Sequence, residues 1–261
     1  MRYSVFTKAW QKLPVDELCK KVSNWGFDGV ELPLRPGYQV EPKDAEKSLP
    51  ALAKKMQEYG LSVMSVASGT DENIFAACQA AGVPVIRILP WFGVDKGYFE
   101  YEDGFRSYLY SLQIFCEKYN VKIAVQNHSK TMIFNSMELR SVLQGLDPAL
   151  IGAAWDAGHC GLAGETGAKG LEIVWPHLIQ VNLKNAYWKP ITGPEAEEAT
   201  WQPHLTLGRY GMASFPKIIS YLKARGYTGA FCVFAEYTEE SQVDRLTPMD
   251  LQYIKSLYEH S

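Results

Sequence analysis

Strand-like and helix-like periodicities alternate eight times along this chain, and no other feature restricts its fold as strongly. Short apolar runs lie at residues 2–7, 29–32, 61–67, 84–89, 122–126, 152–156, 179–183 and 231–236. Each is followed by a longer amphipathic run, at 15–25, 49–59, 72–81, 101–119, 136–146, 167–175, 214–225 and 248–260. In the first of these, Leu18, Val22 and Trp25 recur at helical spacing. Eight strand–helix units in 261 residues predict a (β/α)8 TIM barrel, an α/β fold closed by eight parallel strands, as one domain over residues 1–261.

The connections carry a polarity. Gly26, Gly60, Gly82, Asn120 and Gly226 each stand between the end of a helical run and the next strand. That is the left-handed capping position, where Gly or Asn meets little steric penalty. The segments that follow strands are long instead: 33–47, 68–72, 90–100, 128–135 and 184–212. Short links at one end and long ones at the other place function on the long side of a barrel. The rival is an open, doubly wound sheet. It calls for a Gly-rich phosphate turn after an early strand, and the chain has none.

Composition narrows the partners. The net charge of −3, with no basic block, argues against a nucleic-acid surface. No apolar run reaches about 18 residues, so no membrane span is expected. The N-terminus reads as a strand rather than a secretory leader. Five scattered cysteines (Cys19, Cys78, Cys116, Cys160, Cys232) without a Cys-x-x-Cys pair suit free thiols in a cytoplasmic protein.

Four late strands end in polar side chains. Alternation sets Lys122, Ala124 and Gln126 on one face of the fifth strand, and Gly152, Ala154 and Asp156 on one face of the sixth. Gln180, Asn182 and Lys184 share a face at the seventh, and Cys232, Phe234 and Glu236 at the eighth. The other faces carry Val125, Trp155, Val181 and Val233, suited to packing beneath helices. Gln126, Asp156, Asn182 and Glu236 should therefore converge at the barrel mouth. A buried carboxylate needs a cation or several donors, so Asp156 and Glu236 are either metal ligands or parts of an ion-paired network.

The chain resembles the xylose isomerase-like TIM barrels, the sugar phosphate isomerase/epimerase group. The resemblance runs from Met1-Arg-Tyr-Ser-Val-Phe-Thr-Lys through Gly26-Phe-Asp-Gly-Val-Glu-Leu-Pro, Gln126-Asn-His, Asp156-Ala-Gly-His159, Asn182-Leu-Lys-Asn185 and Gly226-Tyr-Thr-Gly to Glu236-Tyr. It implies a divalent metal held by Glu, Asp, His and Glu from strands five to eight. Here those positions are Gln126, Asp156, Asn182 and Glu236, so two match and two depart. An all-oxygen set with two charges favours Mn²⁺ or Mg²⁺ over Zn²⁺, binds it more weakly, and leaves open that no metal is held. Gln126 cannot serve as a base. The implied reaction is isomerisation or epimerisation of a ketose, an aldose or a related polyhydroxy carbonyl compound through a metal-stabilised enediolate.

Within that resemblance, Glu236 or His159 would move the proton and Lys184 would stabilise the developing charge. His128, Arg35, Trp91 and Trp188 would touch a small carbohydrate. Glu31 either lines the mouth or forms a packing ion pair, and His204 is a weaker candidate. Trp10, Tyr38, Phe92, Tyr187 and Trp201 also lie in segments after strands, where rings either stack on sugars or anchor loops. Self-association as a homodimer or homotetramer is implied too. Two rival readings remain: a sugar-binding homologue that has lost catalysis, and a metal-dependent lyase or hydratase. An abasic-site endonuclease on this fold would need many zinc-binding histidines, and the chain has five His in all.

Overall fold

The computed structural model describes residues 1–91 and 97–260. Parallel strands β1 (Tyr3–Phe6), β2 (Gly29–Pro33), β3 (Ser62–Ala67), β4 (Val85–Ile88), β5 (Lys122–Gln126), β6 (Ile151–Asp156) and β7 (Leu178–Leu183) pair in chain order. An eighth barrel strand, β10 (Phe231–Phe234), closes the ring between β7 and β1. This is the (β/α)8 barrel that the periodicity predicts. Between β7 and β10 the chain inserts an antiparallel hairpin, β8 (Asn185–Pro190) with β9 (Trp201–Thr206).

The two strand faces separate as alternation requires. Val125, Trp155, Val181 and Val233 join the large apolar layer between strands and helices. Inside the barrel, Val85, Ala124 and Ala154 fill the floor, and Phe6, Ala67, Cys232 and Phe234 form a layer above. Gly152 sits where β6 crosses towards β7. A Cβ there would stand 2.1 Å from the His177 carbonyl oxygen, so only glycine permits that approach.

Helices α1 (Val15–Asn24), α2 (Ala45–Gln57), α3 (Glu72–Ala81), α4 (Tyr98–Tyr119), α5 (Ser136–Leu143), α7 (Gly167–Val174), α8 (Phe215–Ala224) and α9 (Val243–His260) cover the outside. Gly26, Gly60, Gly82, Asn120 and Gly226 all take positive φ, between 52° and 83°, as their capping positions demand. Helix α6 (Ala157–Leu162) and the hairpin lie outside the eight-unit pattern. The short helix has two glycines and no apolar period, and the hairpin lies within the long segment 184–212. Helix α9 begins at Val243, five residues before Pro248, and carries that proline inside it.

All five cysteines are free and buried. Among the described residues, no helix is long and apolar enough to cross a membrane.

Candidate functional site

The strand ends meet in one buried network at the C-terminal mouth of the barrel. Its centre is the ammonium of Lys184, immediately after β7. Lys184 Nζ lies 3.2 Å from Glu236 Oε2 and 3.5 Å from Asp156 Oδ2. The lysine side chain is 4% exposed, and its ammonium sits 4.9 Å from the centre of the Phe234 ring. On the far side of Glu236, Lys8 Nζ pairs with Oε1 at 2.7 Å. The two carboxylates thus face one another across a lysine.

Asp156 ends β6 and also caps α6. Its Oδ1 accepts the His159 backbone N–H at 3.0 Å, and its Oδ2 accepts Gln126 Nε2 at 2.6 Å. Helix α6 can come so close to Lys184 because residue 158 is glycine. A Cβ at Gly158 would stand 2.9 Å from Lys184 Cγ. Short helix and lysine therefore depend on each other.

A second cation sits deeper. Arg87, in the middle of β4, places Nε at 2.7 Å and Nη2 at 2.6 Å from Glu31 Oε1, and donates from Nη1 to Gln126 Oε1 at 2.5 Å. Phe6 and Phe234 flank its guanidinium, with ring centres 4.8 and 5.2 Å away. Glu31 is fully buried, and its Oε2 accepts from Ser65 at 2.8 Å and from Gln180 Nε2 at 2.7 Å. Glu31 is therefore an interior ion-pair partner of Arg87.

This network fixes the amides. A guanidinium can only donate and a carboxylate only accept, so Gln126 turns its oxygen to Arg87 and its NH₂ to Asp156. Asn182 Oδ1 accepts from Gln180 Nε2 at 2.7 Å, and its buried Nδ2 has no hydrogen-bond partner among the described residues. Sequence alone set both amide oxygens towards a cation; the structure commits both to other donors. With Lys184 and Lys8 on the carboxylates as well, the residues present do not fit a divalent metal. Among the described residues, no group of three or more His, Cys, Asp or Glu is placed to hold one.

Above the network opens a cavity of about 690 Å³, lined by Lys8, Tyr38, His128, His159, Lys184 and Glu236 among others. The two imidazoles pack against one another at a tilt of 47°, with centres 4.0 Å apart. Each Nδ1 accepts a backbone N–H from the turn after β5, His159 from Ser129 at 3.3 Å and His128 from Lys130 at 3.2 Å. The proton of a neutral ring then sits on Nε2. Burial, with His159 and Lys184 nearby, lowers His128 to about 3. Burial and Lys184 likewise hold His159 well below its ordinary value. Both rings are neutral donors near pH 7, and the buried His159 Nε2 has no hydrogen-bond partner among the described residues.

The carboxylates diverge. Burial pushes both upwards. For Glu236 the ammonium groups of Lys184 and Lys8 outweigh burial and hold it well below the usual range. Asp156, wholly buried, remains raised despite Lys184. Lys184 itself is raised, since Asp156 and Glu236 overcome the cost of burying it.

The remaining candidates lie apart. Arg35 and Trp91 line a separate cavity of about 320 Å³ with Ser68, Thr70 and Arg87. The Trp188 indole donates to the Leu162 carbonyl at 2.8 Å, pinning the hairpin to the end of α6. His204 packs on Tyr187 at a tilt within the hairpin, and Trp10 donates to Asp244 and packs on Trp25. Trp201 is exposed on the hairpin. Phe92 lies outside the described residues. Sequence reasoning passed over Arg87 and Lys8. The signal for Arg87 was available: a lone charge in the apolar run Val85-Ile-Arg-Ile88, on the same face as Val85.

The wall of the cavity is tied to α9 by a buried acid. Asp250 accepts the Gly208 N–H at 2.8 Å and the Tyr237 hydroxyl at 2.9 Å, and Tyr237 lines the cavity. Burial raises Asp250 from 3.8 to about 6, against those hydrogen bonds. A raised acid stabilises the fold fully below its unfolded value, and that stabilisation is lost as pH climbs to about 6. The span corresponds to roughly 3 kcal/mol. In Asp250→Asn this dependence disappears, so urea melts at pH 4 and pH 7 should show the variant gaining on wild type by up to that amount. Parallel stabilities of the two proteins would contradict the assignment.

Comparison with known proteins points one way. The family model described as xylose isomerase-like TIM barrel matches residues 19–257. Inosose dehydratase of Bacillus licheniformis is 26% identical over 234 residues, covering 81% of this chain and 77% of that protein. D-psicose 3-epimerase of Clostridium cellulolyticum H10, solved with D-tagatose, superposes with a TM-score of 0.77 at 12% identity over 99% of both chains. A xylose isomerase-like TIM barrel protein of Mycobacterium smegmatis, solved with magnesium, gives 0.72 at 16% identity, over 99% of this chain and 97% of that one. At such identities the two structures speak for the fold.

Proposed function

Because the chain belongs to the xylose isomerase-like TIM barrel family, we propose that it is an enzyme that moves a proton on the carbon beside the carbonyl of a small polyhydroxy compound. Isomerisation, epimerisation and dehydration all begin with that step, and the similar proteins include an epimerase and a dehydratase. One observation carries the reading: Lys184 and Glu236 stand 3.2 Å apart in the lining of the cavity.

The roles follow from charge and protonation. The ligand carbonyl oxygen accepts a hydrogen bond from the Lys184 ammonium, which stabilises the oxyanion as it forms. Sharing that ammonium weakens its hold on Glu236, so the carboxylate becomes more basic when the substrate is seated and takes the proton. Asp156 keeps Lys184 charged. The Nε2–H of His159 donates to a second ligand oxygen. Lys8 holds Glu236 in place. The manganese or magnesium implied by family resemblance takes no part, because the donor set does not fit it.

The test is deuterium uptake. Ketoses, aldoses and keto sugar acids are incubated with the protein in D₂O, and label beside the carbonyl is read by NMR. Uptake at one carbon of one class is expected. Binding without uptake across the panel would replace this reading with that of a sugar-binding homologue, which the fixed amide of Gln126 otherwise favours.

A further inference from the structure

We infer that the Lys184 ammonium is the resident cation of this barrel, held by its own chain in place of an exchangeable divalent metal. The inference borrows from the proposed function only the identity of the oxygen that Lys184 receives. The exclusion of metal stands on geometry.

Three independent features give the centre the wrong polarity for a metal. First, Lys184 lies between Asp156 Oδ2 and Glu236 Oε2, so the two oxygens that could bridge to a metal share one ammonium. Second, the neighbouring amides are held with their oxygens engaged. Arg87 takes Gln126 Oε1, and Gln180 takes Asn182 Oδ1. Third, the lysine is built in. Gly158 leaves room for its stem, and Phe234 lies under its charge. A metal would have to evict a tethered cation and would then meet Lys8, on the other oxygen of Glu236.

The groups left over are donors. Asn182 Nδ2 and His159 Nε2 are both buried without a hydrogen-bond partner among the described residues. Polar atoms in that state are normally satisfied by something. His159 and Lys184 line the same cavity, so an incoming acceptor oxygen with negative charge suits it, and a cation does not. The ligand class is therefore a carbonyl compound whose oxygen is bound directly by protein hydrogens, without chelation.

Manganese titration followed by electron paramagnetic resonance tests this. Wild type should show no saturable Mn²⁺ binding up to about 1 mM. The triple variant Q126E/N182H/K184M, checked for folding by circular dichroism, should bind one equivalent at least about 100-fold more tightly. One equivalent bound to wild type at micromolar concentration, and lost in D156N, would overturn the inference. So would a folded triple variant that stays metal-free. Should the triple variant not fold, the wild-type titration decides alone. Absence of deuterium uptake with metal-free wild type would sink the proposed reaction and leave this inference standing.

Discussion

Lys184→Met is expected to lower proton exchange by roughly 10²–10³-fold, the usual effect of removing a donor aimed at a developing oxyanion. Most of the loss should fall in kcat, because the charge Lys184 meets is greatest in the transition state. Lys184→Arg should not rescue it. The stem runs beside Gly158, in a slot with no room even for a methyl group there, and a planar guanidinium cannot occupy the place of a compact ammonium. Asp156 keeps its bonds from Gln126 and the His159 N–H, and Glu236 keeps Lys8, so the fold should survive. Exchange kinetics of the two variants in D₂O check both statements. A Lys184→Met protein within about threefold of wild type would remove Lys184 from the reaction.

Arg87→Met is expected to destabilise the protein by about 3–5 kcal/mol, the range found when one partner of a buried ion pair is removed. Glu31 is fully buried, and after this change Ser65 and Gln180 would be its only donors among the contacts described above. The double variant Glu31→Gln/Arg87→Met should recover much of the loss, since it leaves no unpaired charge and methionine can pack between Phe6 and Phe234. Chemical denaturation of wild type, both single variants and the double variant closes the cycle. Additive single effects would mean that the pair is not coupled. Activity should fall as well in Arg87→Met, because Gln126 loses the bond that orients its NH₂ towards Asp156.

How much of this was legible in the sequence differs by element. The inward series Gln126, Asp156, Asn182 and Glu236 followed from period-two alternation, which local backbone geometry imposes wherever a strand forms. The capping glycines and Asn120 were legible for a similar reason: a left-handed residue excludes most side chains locally. Helix α6 was not, because its six residues owe their turn to the Asp156 cap and the slot beside Lys184 more than to any apolar period. The separation of Arg35 and Trp91 from the main cavity, and the use of Trp188 as an anchor, depend on where the hairpin and the loop after β2 come to rest.

The chain by itself determined a closed eight-stranded barrel, the face on which its polar strand ends stand, and the mouth at which they gather. Those features follow from periodicities that each segment carries alone. Tertiary structure decided what the gathered residues are to one another. Arg87 comes from one strand, Gln126 from the next, and Lys184 from beyond β7, and only their meeting with Asp156 and Glu236 fixes which way the Gln126 amide turns and sets an ammonium between two carboxylates. A hydrogen bond has direction and an ion pair has sign, and neither is defined until both partners are in place.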